Sequence, residues 1–322
     1  MPTIHGFSFG AFVVEAAFIG GKAAFALGDG TVRLTDGDAA QTVAVHHGAI
    51  LSAATTREGG LLSGGDDGVV ALTGPDGTVT RLAEKARKWI DIIAAGPARA
   101  AAFAVGKQAV MRFADGRERV FEHEQAVGGL AFAPKGLRLA VAHYGGATLY
   151  WVRTESPPIR LTWAGAHIAA SFSPDGRYLM TSMQENALHG WRLEDAQDLR
   201  MSGYSNKPKS LSWSAKGRWL ASSGANAAIL WPFLTKEGPV NKQPLELGVR
   251  NVPVTRVACH PREDLIVIGY RDGALLLARF ADRREAQLRP PGDGPISALA
   301  FDAPGARVAF GGEHGAAGVI DL

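Results

Sequence analysis

Ala169-Ala170-Ser171-Phe172-Ser173-Pro174-Asp175-Gly176-Arg177-Tyr178-Leu179-Met180 decides the fold. A short alternating apolar run meets a polar turn built from Pro, Asp and Gly, and a second apolar run follows. Period-two alternation on both sides of such a turn is the signature of two antiparallel strands. The pattern recurs at 128–140, 210–221 and 299–310. After each hairpin comes a second turn and a third apolar run. The second turns fall near Gly28-Asp29-Gly30, Asp66-Asp67-Gly68, Gly106-Lys107-Gln108, Gly145-Gly146-Ala147, Glu185-Asn186-Ala187, Ala225-Asn226-Ala227, Arg271-Asp272-Gly273 and His314-Gly315-Ala316. They are about 40 residues apart and fill the chain.

Seven units carry a fourth strand, and the last stops after its third. The chain opens with one unpaired strand-like segment, Ile4 to Phe9. If that segment supplies the missing outer strand, the ends of the chain close a ring. The expectation is an all-β chain. Residues 1–322 form one closed β-propeller of four-stranded antiparallel blades, with eight blades favoured and seven as the alternative. Closure in this way buries both faces of each blade and leaves only short edges.

Composition agrees with a folded chain: 322 residues, 46% hydrophobic and 20% charged. Lys and Arg number 34 against 31 Asp and Glu, and both halves are balanced, so a nucleic-acid partner is not expected. One cysteine, Cys259, excludes an intrachain disulfide and any multi-cysteine metal site. It aligns with Phe132, Phe172, Trp213 and Phe301, which reads as a buried, inert thiol. No apolar run is long enough for a membrane helix, and Glu15 interrupts the first one, which makes a poor signal peptide. A cytoplasmic location without a membrane partner is the expectation. The abundance of Ala, Gly and Arg reads as a high-GC bacterial coding sequence.

The repeats resemble the WD40 family over essentially the whole chain. Phe172-Ser173-Pro174-Asp175-Gly176-Arg177 matches the family's first hairpin, and Leu61-Leu62-Ser63-Gly64-Gly65-Asp66-Asp67-Gly68 its second strand and following turn. His46 and His123 stand at the Gly-His position. Trp151, Trp191 and Trp231 stand at the third-strand Trp, followed by Val152, Arg192 and Pro232 in place of Asp. The resemblance implies a platform for proteins or peptides without catalytic residues. It also implies a bond between His46 and Asp67. Asp29, Asp67 and Asp272 precede glycine in tight turns, where a carboxylate accepts backbone N–H groups.

The expected binding face carries the loops that lead into each first strand and those joining second to third strands. Arg87, Lys88, Trp89, Tyr204, Asn206, Lys207, Lys209 and Arg250 lie in the former; Tyr144 and Arg271 lie in the latter. Arg and aromatic side chains are favoured interface anchors, and the basic rim suits an acidic protein or peptide. Trp89 also aligns with the apolar position of Ile50, Val127, Val254 and Ile296, which offers a core place instead. The segment 233–243 lengthens unit six on the opposite face. The nine histidines lack metal-ligand spacing, and the Gly-rich turns lack a P-loop ending. No cofactor, metal or catalytic set is expected, and the pattern points to no particular oligomeric state. The leading function is a non-catalytic scaffold. The alternative is a propeller enzyme, a hydrolase or lyase, with its site in the central channel, where Glu15 and Asp91 are the few acids of the first strands.

Overall fold

The structure is a computed structural model that describes residues 3–322. Its described residues are strands, turns and loops, with no helix long and apolar enough to cross a membrane. Each sheet meanders outwards from an innermost strand. The first runs Val13–Ile19, Lys22–Leu27, Thr31–Asp36, Ala39–Ala44, and the pattern repeats round the ring.

Closure is made by the first strand. Thr3–Ser8 pairs antiparallel with Ala316–Asp321, from Thr3 opposite Asp321 to Ser8 opposite Ala316, as the outer strand of the last sheet. Inside, the Val13–Ile19 strand packs against both Ile296–Phe301 and Ile50–Thr55, so the innermost strands meet across the two ends of the chain.

Eight separate blades are not what forms. The described residues make seven sheets, six of four strands and one of six. The difference lies where the repeat places its fourth and fifth units. Arg138–Trp151 runs as a 14-residue strand through the turn expected at Gly145-Gly146-Ala147, and Ile159–Phe172 continues through what should be a loop. Tyr144 pairs with Ala166 and Gly146 with Thr162, with a register shift between them. Gly145, Gly146 and Gly165 hold positive φ values of 87°, 136° and 126°. Glycine reaches that region without a Cβ penalty, so the paired strands bend instead of breaking, and the ladder joins two units into one wide blade.

Neighbouring sheets interlock through a recurring glycine. Ile90 lies over Gly64, Ile296 over Gly269 and Val13 over Gly311; a Cβ on Gly64 would sit 2.6 Å from Ile90 Cγ2. A branched side chain leading into one inner strand thus fills the space left on the second strand of the sheet before it. That explains the alignment of Trp89. Ile90, the next residue, is fully buried in this place, while Trp89 is 69% exposed. Between the sheets the core is built largely of Ala, Val, Leu and Ile.

Candidate functional site

The register sets one recurring central position, on the second strand of each four-stranded sheet and on the second and fourth of the six-stranded one: Phe25, Ser63, Phe103, Val141, Thr181, Ser222, Ile268 and Phe310. The chain solves it differently each time. At Ser63 a buried histidine is held from both sides. His46 Nδ1–H donates to Asp67 Oδ1 at 3.0 Å, and the Ser63 hydroxyl donates to Nε2 at 2.9 Å. Asp67 also accepts the N–H groups of Val69 and His47. Burial works against its charge, but these hydrogen bonds outweigh it and hold the carboxyl below its ordinary range. At Ser222 a tyrosine takes the histidine's part. Tyr204 Oη meets Ser222 Oγ at 2.6 Å and accepts Trp231 Nε1–H at 2.7 Å. At Phe103 it is Lys85, 5.9 Å above the ring and tied to Glu118; at Phe310 it is Arg289, 5.3 Å from the ring centroid.

Asp29 accepts Thr31 N–H and hydroxyl at 3.0 and 2.7 Å, and Asp272 accepts Ala274 N–H at 3.1 Å, which pins their turns.

The proposed face residues divide into groups. Asn206, Lys207, Lys209 and Arg271 come together on one cavity of about 560 Å³. Its wall includes Pro253-Val254-Thr255-Arg256 and Pro295-Ile296, the starts of two inner strands, together with Phe12, so it is a mouth of the central channel. Arg87, Lys88 and Trp89 are exposed but line no part of it, and Arg87 has a positive φ of 59°. Tyr204 is buried in the network just described. Arg250 lies 4.8 Å from the Tyr270 ring centroid and 3.4 Å from Asp272, committed within its own unit. Tyr144 lines a separate cavity of about 280 Å³ with His123, His143, Tyr150 and Arg160. There His143 Nδ1–H donates to Tyr144 O, and burial pushes His123 down to about 4.

Two further side chains stand near the channel mouth: Glu15, one of the first-strand acids noted in the sequence, and Arg256, which carries no local signal. Arg256 lines the cavity, and among the described residues its side chain makes one hydrogen bond, from Nη1 to its neighbour's carbonyl, Thr255 O. Glu15 lies deeper, enclosed by protein although water reaches part of it. Burial pushes its carboxyl up to about 7, against the attraction of Arg256 and a 3.2 Å bond from Ala16 N–H. The acidic neighbours of Arg256 are Glu15 and Glu313, and neither is within ion-pair distance. Arg256 and Glu15 each follow a register shift in an inner strand, between Val254 and Arg256 and between Val13 and Glu15. Lys207, Lys209 and Arg271 likewise have no acidic partner among the described residues.

Elsewhere, burial pushes the Cys259 thiol up to about 12, with Sγ 3.4 Å from Ser212 O. His189 is fully buried between Trp163 and Trp191, and neither ring nitrogen has a hydrogen-bond partner. The 233–243 segment is clamped to the preceding unit by Tyr178 Oη donating to Lys236 O at 2.7 Å. Among the described residues no cluster of His, Cys, Asp or Glu could hold a metal ion.

The architecture is that of a multi-bladed β-propeller, and known structures share it. A crystal structure of the computationally designed protein Ika8 superposes with a TM-score of 0.81, at 16% identity and over 98% of each chain. A chain of the mitotic checkpoint complex gives a TM-score of 0.68 at 13% identity, covering 85% of this chain and 87% of its own. At such identities the likeness is one of fold. No family model matches the chain, and no curated protein matches it in sequence.

Proposed function

We propose that this chain is a non-catalytic, WD40-like binding platform that takes an acidic protein segment at the channel mouth. One observation carries the reading: Lys207, Lys209, Arg271 and Arg256 line a single open cavity with one acid, Glu313, in its wall, and none of the four is in an ion pair among the described residues. Four bases against one acid in the wall leave a net like-charge repulsion in the free protein, and an acidic segment relieves that repulsion on docking. The wall also offers Phe12, Pro253, Pro295 and Ile296 as apolar contact beside the charges.

The test compares two charge-reversed proteins, each first checked for unchanged circular dichroism. One carries Lys207→Glu, Lys209→Glu and Arg271→Glu; the other carries Arg87→Glu and Lys88→Glu. A saturable partner from matched cell extract should be lost by the first and kept by the second. A partner kept by the first, or lost equally by both, refutes the placement. No saturable protein partner at all refutes the platform.

A further inference from the structure

Resting on that reading of the mouth, we propose that Arg256 anchors the docked segment by taking one of its carboxylates. The bases of the cavity differ in exposure. Lys209 and Arg271 are exposed. Arg256 is half-buried near the start of an inner strand and lines the same cavity. A guanidinium presents its donors as a planar fork that matches a carboxylate bidentately. Here one donor is spent on Thr255 O, and Nε and Nη2 have no partner among the described residues. A half-buried guanidinium with unused donors in a cavity wall is a prepared oxyanion site.

Two probes separate this inference from the docking reading. Succinate is titrated while the Arg256 Nε–Hε resonance is followed by NMR, assigned by its disappearance in Arg256→Lys. Hexaglutamate binding is measured by calorimetry near neutral pH. We expect a saturable shift of Arg256 with succinate. Hexaglutamate should bind about tenfold or more weakly to Arg256→Gln.

If hexaglutamate is lost by Lys207→Glu with Lys209→Glu but binds Arg256→Gln as well as wild type, the mouth docks acidic chains and the anchor is overturned. If hexaglutamate fails to bind while succinate moves Arg256, the docking reading falls and the anchor stands. An unmoved Arg256 resonance overturns the anchor outright, even if Arg256→Gln does not fold.

Discussion

Replacing Glu15 with Gln removes an ionisable group and keeps the shape of the side chain. In the fold this carboxyl titrates at about 7 against an ordinary 4.5. Burial sets the sign. Arg256 lies within Coulomb range but not in contact, so its attraction does not repay the lost hydration. Because the folded value is raised, the folded state holds the proton more tightly than the unfolded chain between the two values. The stability tied to Glu15 is therefore fully present below 4.5 and lost as pH rises through 7. At about 1.4 kcal/mol per pH unit, the ionised group costs about 3 kcal/mol. Urea unfolding followed by tryptophan fluorescence should show Glu15→Gln more stable by about 3 kcal/mol at pH 8. That is a midpoint shift on the order of 1 M. At pH 5 the two proteins should agree within about 1 kcal/mol. An equal gain at both pH values would refute the reasoning, since the effect would then be packing. A loss at pH 8 would show that the carboxylate is held by Arg256 as a favourable pair.

The His46 network and the glycine interlocks are tested by stability. His46→Ala strands the Ser63 hydroxyl and removes one of the two hydrogen bonds to Asp67 Oδ1, which keeps the Val69 N–H, and should cost about 1–3 kcal/mol in urea unfolding at neutral pH. The remaining share of Asp67, whose carboxyl is held low, disappears as pH falls below its ordinary range, so the wild-type advantage should shrink in acid. Gly64→Ala drives a methyl against Ile90 and its carbonyl oxygen, and should cost about 1–3 kcal/mol; Gly6→Ala, with nothing within 4 Å, should stay within about 0.5 kcal/mol. Equal effects at Gly64 and Gly6 would refute the interlock.

Much of the architecture is legible in the chain because its cause is local. Alternation in Ser171–Met180 and a turn at Pro174-Asp175-Gly176 specify two strands wherever they occur, and repetition of that unit leaves a ring as the way to bury both faces. The turn carboxylates Asp29, Asp67 and Asp272 bond within two residues of themselves, so their neighbours are in the sequence. What hydrogen-bonds over longer distance is not. The merging of two units into one six-stranded sheet depends on Tyr144 finding Ala166 through bends at three glycines, and the same glycines equally permit a tight turn. The binding loops show the same division. Basic and aromatic residues can be picked out by type, but only the ring decides that Tyr204 turns inward to Ser222 while Lys207 and Lys209 reach the channel mouth.

The sequence by itself determined the strands, the turns and the repeat, because backbone alternation and turn chemistry act over a few residues. The tertiary structure alone decided how many sheets those strands make and which charges share the channel. Glu15 and Arg256 stand near opposite ends of the chain, and only closure of the ring by Thr3–Ser8 on Ala316–Asp321 brings their fields together.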